Sequence, residues 1–383
     1  MRKTTIAICF VLLLFSFPAI SKATESRELD LISEAVFLLD SDTGAVLFEK
    51  NGYKKMYPAS LTKIATAIYA IEKGNLDDII TVSENAYSTE GTRVYLEQGE
   101  QVTLRHLIDG MLINSGNDAA IAIAEYLDGS IDEFEQNINQ FLKEKVNVHS
   151  THFKNPNGLF HKDHYTTAND LALITKYAMQ NEIFREIFGT DELKWDGLSW
   201  DTTLVSHHQM VNGSRPYDKV TGGKTGFVNE SKQTLATTAA NEELSLIAIV
   251  LKGNYKRDVY NDTKELLEYG FNQYTHKVIP AGKSFFVKGT TYETMQEEKI
   301  TVPHTKGEEE VTSSGLLMIE NDNGDILQSI QLAKVMPAEE TFKEEITEDV
   351  VKDEKKSSFP GIIFILPIAL GCIFFMKRRV IKR

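Results

Sequence analysis

Ser60 and Lys63, three residues apart in Tyr57-Pro58-Ala59-Ser60-Leu61-Thr62-Lys63-Ile64, are the pair in this chain best suited to acyl-transfer chemistry. A serine hydroxyl is a weak nucleophile until a base takes its proton, and a lysine amine can be that base once burial or a neighbouring cation has lowered its pKa. Proline and small polar residues precede the pair, and Leu61, Ile64 and Ile68 follow at helical spacing. The stretch therefore reads as a loop entering a buried helix, with Ser60 at or near its first turn. Residues three apart share a helix face, which sets the hydroxyl beside the amine. A backbone N–H at a helix N-terminus also suits a developing oxyanion. Taken alone, a Ser-x-x-Lys match carries little weight, because chance supplies one in a chain of this length.

Two further clusters carry chemistry-bearing side chains. Ser115-Gly116-Asn117 falls where a helical pattern breaks, so a hydroxyl and an amide can project into a cleft. Gly222-Gly223-Lys224-Thr225-Gly226 opens a strand pattern, and its glycines allow a ligand close to the backbone. Each has an ordinary reading by itself, the first as a helix cap and the second as a turn before a hairpin. Ser83-Glu84-Asn85 also fits Ser-x-Asn.

The elements that must position these residues are legible from periodicity. Residues 35–50 alternate around Ser41-Asp42-Thr43-Gly44 as a β-hairpin. Thr103 reads as the N-cap of a helix over 104–112, followed by helices over 119–127, 131–145 and 167–179, with Asn155-Pro156-Asn157-Gly158 as a turn. A second hairpin spans 234–238 and 244–251, and a closing helix 262–274. Strands at both ends of a helical middle predict an α/β (α+β) domain over 30–275, one sheet covered by helices. Residues 279–336 show short alternating runs and turns such as Asn321-Asp322-Asn323-Gly324, which predicts a small all-β domain. Residues 337–358 are dense in Glu, Asp and Lys and read as a solvated spacer.

The 383 residues carry a formal net charge of −14. That sign argues against nucleic acid as a partner and against adhesion of the main body to an anionic membrane. Residues 1–23 have the form of a signal peptide: Arg2 and Lys3, an apolar run over 6–17, then Ser21-Lys22-Ala23. Residues 359–376 form an uncharged apolar run ahead of the basic tail 377–383, the pattern of a membrane helix whose tail stays cytoplasmic and whose preceding domains stay outside. Cys9 and Cys372 lie in these two segments, so the exported body has neither a disulfide framework nor a thiol nucleophile.

In this order and spacing, Ser-x-x-Lys, Ser-x-Asn and Lys-Thr-Gly resemble the signature of penicillin-binding proteins and serine β-lactamases. The stretches 91–100 and 112–120, Asn155-Pro156-Asn157-Gly158-Leu159, and His164-Tyr165-Thr166-Thr167-Ala168-Asn169-Asp170-Leu171-Ala172 narrow the resemblance to the low-molecular-mass D-alanyl-D-alanine carboxypeptidases of peptidase family S11. It covers about residues 30–275 closely, and the small β domain and anchor in layout.

The resemblance implies the transpeptidase fold of those proteins and a serine hydrolase that removes the terminal D-alanine of peptidoglycan pentapeptide stems through an acyl-enzyme, with β-lactams as covalent inhibitors. It implies Ser60 as nucleophile, Lys63 as base and Ser115 as proton relay. Asn117, Lys224, Thr225, Gly226 and Phe227 would contact substrate: Asn117 through its amide, Lys224 and Thr225 at the carboxylate, and the Ser60 and Phe227 N–H groups at the oxyanion. Lys224 would also keep Lys63 neutral by like-charge repulsion. No metal or organic cofactor is called for. A cell-membrane location with the catalytic domain outside, in a Gram-positive layout, completes the expectation.

Two positions depart from the family pattern. Relatives often place an Arg or Lys some fifteen residues before Lys-Thr-Gly, where this chain has Ser206-His207-His208-Gln209. If a histidine there binds the carboxylate, binding weakens as pH passes about 6.5; otherwise His207 and His208 are surface residues. Ser231-Lys232 stands where many relatives have Ala-Gly. A β-lactamase would need a Glu-x-x-x-Asn deacylation loop, which the stretch 155–224 lacks. Endopeptidase action on cross-links and a penicillin-sensing or wall-binding module remain open alternatives.

Overall fold

The computed structural model describes residues 29–305 and 307–335. The expected signal peptide, spacer, apolar run 359–376 and basic tail lie outside the described residues. Among the described residues, no helix is long and apolar enough to cross a membrane.

The chain opens with the expected hairpin, β1 (Ala35–Asp40) and β2 (Val46–Lys50). A single 3₁₀ turn, Ala59–Leu61, leads into α1 (Thr62–Lys73). There follow β3 (Ile79–Thr81), α2 (Glu84–Tyr87), β4 (Gln101–Thr103), α3 (Leu104–Ile113), α4 (Asn117–Asp128), α5 (Ile131–Phe141), α6 (Ala168–Ala178) and α7 (Glu182–Phe188). Then come a hairpin of β5 (Glu192–Asp196) and β6 (Asp201–Val205), the strands β7 (Val220–Val228), β8 (Lys232–Ala240) and β9 (Ser245–Gly253), and α8 (Lys256–Gln273).

One antiparallel sheet, in the order β2-β1-β9-β8-β7, joins the two ends of this region. Its central strands are apolar on both faces, because both faces are covered. Phe37 and Leu39 of β1, with Ile247, Ile249 and Leu251 of β9, pack into the helical core beside Ile64, Ile68, Leu107 and Ile123. The alternate residues Val36, Leu38, Leu246, Ala248 and Val250 pack on the other side with Leu266 and Leu267 of α8. Strand alternation sends successive side chains to opposite faces, so a fully buried β1 needs two cores.

The remaining strands are β10 (Tyr274–Ile279), β11 (Ser284–Val287), β12 (Thr290–Glu293), β13 (Glu298–Pro303), β14 (Glu308–Val311), β15 (Leu316–Glu320), β16 (Ile326–Gln331) and β17 (Ala333–Lys334). They form sheets β10-β13, β11-β12-β17 and β14-β15-β16. Ile300, Leu317, Ile319 and Leu327 join the second core.

Three expectations need correction. The closing helix starts at Lys256, not 262, where the Asp258 carboxylate accepts from the Tyr255 N–H at 3.3 Å. The helix expected over 131–145 ends at Phe141 and widens into a π-turn, Leu142–Val146, before Asn147 turns left-handed. Strand β7 begins at Val220, ahead of the glycines expected to open it.

Candidate active site

Helix α1 starts without a side-chain cap and is buried continuously from Thr62 to Ala70. Lys63, fully buried, reaches along this helix to three oxygens: Ser60 Oγ at 3.1 Å, Asn117 Oδ1 at 2.7 Å and the Asn157 carbonyl at 2.7 Å. All three acceptors are uncharged. Burial first, and the Lys224 cation second, push the Lys63 amine well below its ordinary value, against an opposing pull from Asp118. The like-charge contribution expected from Lys224 is thus present, second to desolvation.

Asp118 would be the natural counter-ion, but its carboxylate is turned to backbone, accepting from Val94 N at 3.0 Å, Leu96 N at 3.2 Å and Ala119 N at 2.9 Å. It thus fixes the loop 92–96 rather than neutralising the lysine. Asn117 is oriented at both ends, its Oδ1 by Lys63 and its Nδ2 by donation to the Glu90 carbonyl at 2.7 Å. A carboxamide offers two donor hydrogens and two acceptor lone pairs, so one of each stays free for a bound amide. Ser115 lies at the break between α3 and α4 with φ +64°, a left-handed backbone that the adjoining bonds Gly116 N–H to Gly110 O and Asn117 N–H to Thr92 O hold in place.

Lys224, Thr225, Gly226 and Phe227 lie on β7, which is the edge strand of the sheet among the described residues. Lys224 is 2% exposed, donates to the Thr225 carbonyl at 3.2 Å, and burial pushes its amine down to about 7. Gly226 lies against the nucleophile: a Cβ there would come within 2.9 Å of Ser60 N and 2.4 Å of Thr234 Oγ1. Thr234 in turn donates to the Pro58 carbonyl at 3.0 Å, joining the sheet to the turn that carries Ser60. Phe227 follows with its ring exposed. The structure thus gathers the three sequence clusters around Ser60.

The two histidines part company. His208 is no surface residue: it is buried, bonds Thr237 Oγ1 at 2.8 Å, and its ring meets Tyr260 edge-on. Burial, then Lys224 and Lys256, push it down to about 3. His207 is exposed, as expected of a surface residue, on a cavity of about 400 Å³ that Asn114, Trp200 and Lys256 also line. Desolvation, then Lys224, Lys256 and Lys63, push it down to about 4. His208, buried on all sides, is not positioned to switch near pH 6.5, and the lysines near His207 also disfavour its protonation.

Sequence reasoning gave no role to the Asn157 carbonyl, Asp118, Thr62, His164 or Lys256. The Asn155–Gly158 turn and the stretch around His164 were signals, but only as family marks.

Residues 21–254 match the family model of the D-alanyl-D-alanine carboxypeptidases, peptidase family S11. The chain is 33% identical over 329 residues to D-alanyl-D-alanine carboxypeptidase DacF of Bacillus subtilis, covering 80% of this chain and 82% of that one. It is 29% identical over 274 residues to D-alanyl-D-alanine carboxypeptidase DacA of Escherichia coli, covering 66% and 64%. Its fold matches the crystal structure of D-alanyl-D-alanine carboxypeptidase DacD from Francisella tularensis with a TM-score of 0.68, at 24% identity over 84% of this chain and 99% of that chain. A D-alanyl-D-alanine carboxypeptidase structure from Mycobacterium tuberculosis matches with a TM-score of 0.60 at 26% identity, over 65% and 94%.

Proposed function

The chain belongs to the D-alanyl-D-alanine carboxypeptidases of peptidase family S11, and from that premise we propose how its residues divide the work. It is a serine D,D-carboxypeptidase: it releases the terminal D-alanine of peptidoglycan stem peptides through an acyl-enzyme, and penicillin acylates it in the same way. The observation that carries the assignment of roles is the Lys63 amine, 3.1 Å from Ser60 Oγ with its other contacts on two carbonyl-type oxygens. Those oxygens can only accept. A neutral amine gives them its two hydrogens and turns its lone pair to the Ser60 hydroxyl.

Lys63 takes the Ser60 proton as Oγ bonds the carbonyl carbon between the two D-alanines. The oxyanion is received by the N–H groups of Ser60 and Phe227, which Gly226 brings close. The C–N bond then breaks, and the departing amine takes the proton from Lys63 through the Ser115 hydroxyl. Water attacks the ester, with Lys63 again as base, and frees Ser60. Asn117 holds the substrate amide, while Thr225 and the Lys224 cation hold the terminal carboxylate; Lys256, lining the adjoining cavity, adds a second positive charge there.

The leader-like segment 1–23 and the apolar and basic segments 359–376 and 377–383 support a membrane-anchored protein whose catalytic domain faces outward, where its polymer substrate lies. The direct test is D-alanine release from diacetyl-Lys-D-Ala-D-Ala by the full chain. Release that vanishes in Ser60→Ala, together with penicillin labelling of Ser60, is expected; release that persists in Ser60→Ala would overturn the assignment.

A further inference from the structure

Ser60 follows a residue under strain. Ala59 has φ +50°, a left-handed conformation that costs a non-glycine residue about 1 kcal/mol or more. That turn aims the Ser60 hydroxyl at Lys63 and its N–H past Gly226. The Ala59 carbonyl is gripped twice from Thr62, by its backbone N–H and by its hydroxyl at 2.8 Å. Gly158 backs the same carbonyl so closely that a Cβ there would lie 1.9 Å from it.

The Thr62 hydroxyl has a second neighbour, His164 Nε2 at 2.8 Å. A hydroxyl has one hydrogen, and which neighbour receives it depends on the histidine. The other ring nitrogen settles the matter: Nδ1 faces the Lys154 backbone N–H at 3.0 Å, which can only donate. Nδ1 is therefore the acceptor and Nε2 carries the hydrogen. The bonds then run one way, from Lys154 N–H to His164 Nδ1, from His164 Nε2–H to Thr62 Oγ1, and from Thr62 Oγ1–H to the Ala59 carbonyl. With the opposite tautomer the Thr62 hydrogen would turn to Nε2 and release Ala59. The ring is 2% exposed and stacks on Phe153 at 5.0 Å between centroids. Burial, with His152 and His161 nearby, holds its pKa down to about 3, so it stays neutral.

We propose that His164 is a positioning residue for acylation: through Thr62 it locks the strained Ala59 turn that presents Ser60 to its base and its oxyanion donors. It touches neither substrate nor the reacting atoms. The proposal rests on Ser60 as the nucleophile.

The test is acylation of the full chain by a fluorescent penicillin, with the first-order rate constant at saturation resolved from the binding constant. His164→Leu and Thr62→Val are each expected to slow the first-order step roughly tenfold, with binding within about twofold, because a misaimed nucleophile affects the chemical step. The double variant should be no slower than the slower single one, since both break one chain. His164→Gln, whose side-chain N–H can still donate to Thr62, and Thr62→Ser should stay within about threefold of the unsubstituted protein. If His164→Leu fails to fold, Thr62→Val against Thr62→Ser and His164→Gln carries the same comparison. Losses that multiply in the double variant, or a lower melting temperature with an unchanged first-order rate, would overturn the proposal. An unsubstituted chain that is never labelled would instead overturn the acyl-enzyme reading on which it rests.

Discussion

Asp40 and Lys63 are both fully buried ionisable residues, and their surroundings treat them in opposite ways. Asp40, at the end of β1, accepts from His276 Nε2 at 2.6 Å, Thr301 Oγ1 at 2.7 Å and the Asp42 N–H at 3.0 Å. His276 lies on β10 and Thr301 on β13, so a satisfied carboxylate ties those strands to the central sheet. Lys63 meets only uncharged oxygens, its nearby carboxylate Asp118 is committed to backbone N–H groups, and its neighbour Lys224 has the same sign. A buried charge with all its partners is a joint. A buried amine denied a counter-ion is held towards its neutral form, the form a base needs.

Substitution should separate the two regions cleanly. The largest effect belongs to Lys63→Ala, for which the rate of penicillin acylation is expected to fall by about a thousandfold or more. Circular dichroism should show the chain still folded. Asp40→Ala should do the reverse. Leaving His276 and Thr301 without their acceptor is expected to cost about 3 kcal/mol in urea unfolding, with acylation within about twofold of the unsubstituted rate. If Asp40→Ala lost activity while keeping stability, the contrast between joint and base would collapse.

Acidity sharpens the contrast further. The Lys224 amine is pushed to about 7, so it is cationic below that pH and neutral above it. A carboxylate-terminated substrate should therefore show a KM that rises several-fold between about pH 6 and about pH 8.5. At saturating substrate, kcat should not fall over the same interval. His207→Ala should do least. With lysines nearby disfavouring its protonation, acylation should show no inflection between about pH 5.5 and 7.5, with or without that ring.

What could be read from the residues follows the strength of local periodicity. Helices α3, α4 and α6 and both hairpins of the main sheet were legible because an apolar face repeats along each. The start of α8 was not, since its buried face includes Asp258, Asp262 and Thr263. Asp262 is buried because it accepts from the backbone N–H groups of Ile32 and Ser33, more than two hundred residues earlier. A polar residue with a distant partner breaks the apolar count. Helix α7 and the β5–β6 hairpin went unread because each is too short to establish a period.

The site divides in the same way. Ser60, Lys63, Ser115, Asn117 and Lys224 were legible as side-chain types at family spacing. The Asn157 carbonyl was not, because a backbone acceptor leaves no mark on residue identity. The Thr62–His164 contact spans 102 residues, and its meaning depends on a proton rather than a residue type. The departure from the family pattern also suggested a titrating histidine beside the carboxylate site; the fold buries His208 and leaves His207 exposed, and nearby lysines disfavour protonation of both.

The claim that Lys63 is a base because it is buried without a counter-ion is tested most directly by the pH profile of first-order acylation at saturating penicillin. The rate should rise tenfold per pH unit at the acid end and level off well below pH 10.5, the ordinary value of a lysine amine. A rate that kept climbing through pH 10 would show an ordinary lysine, and would contradict the account.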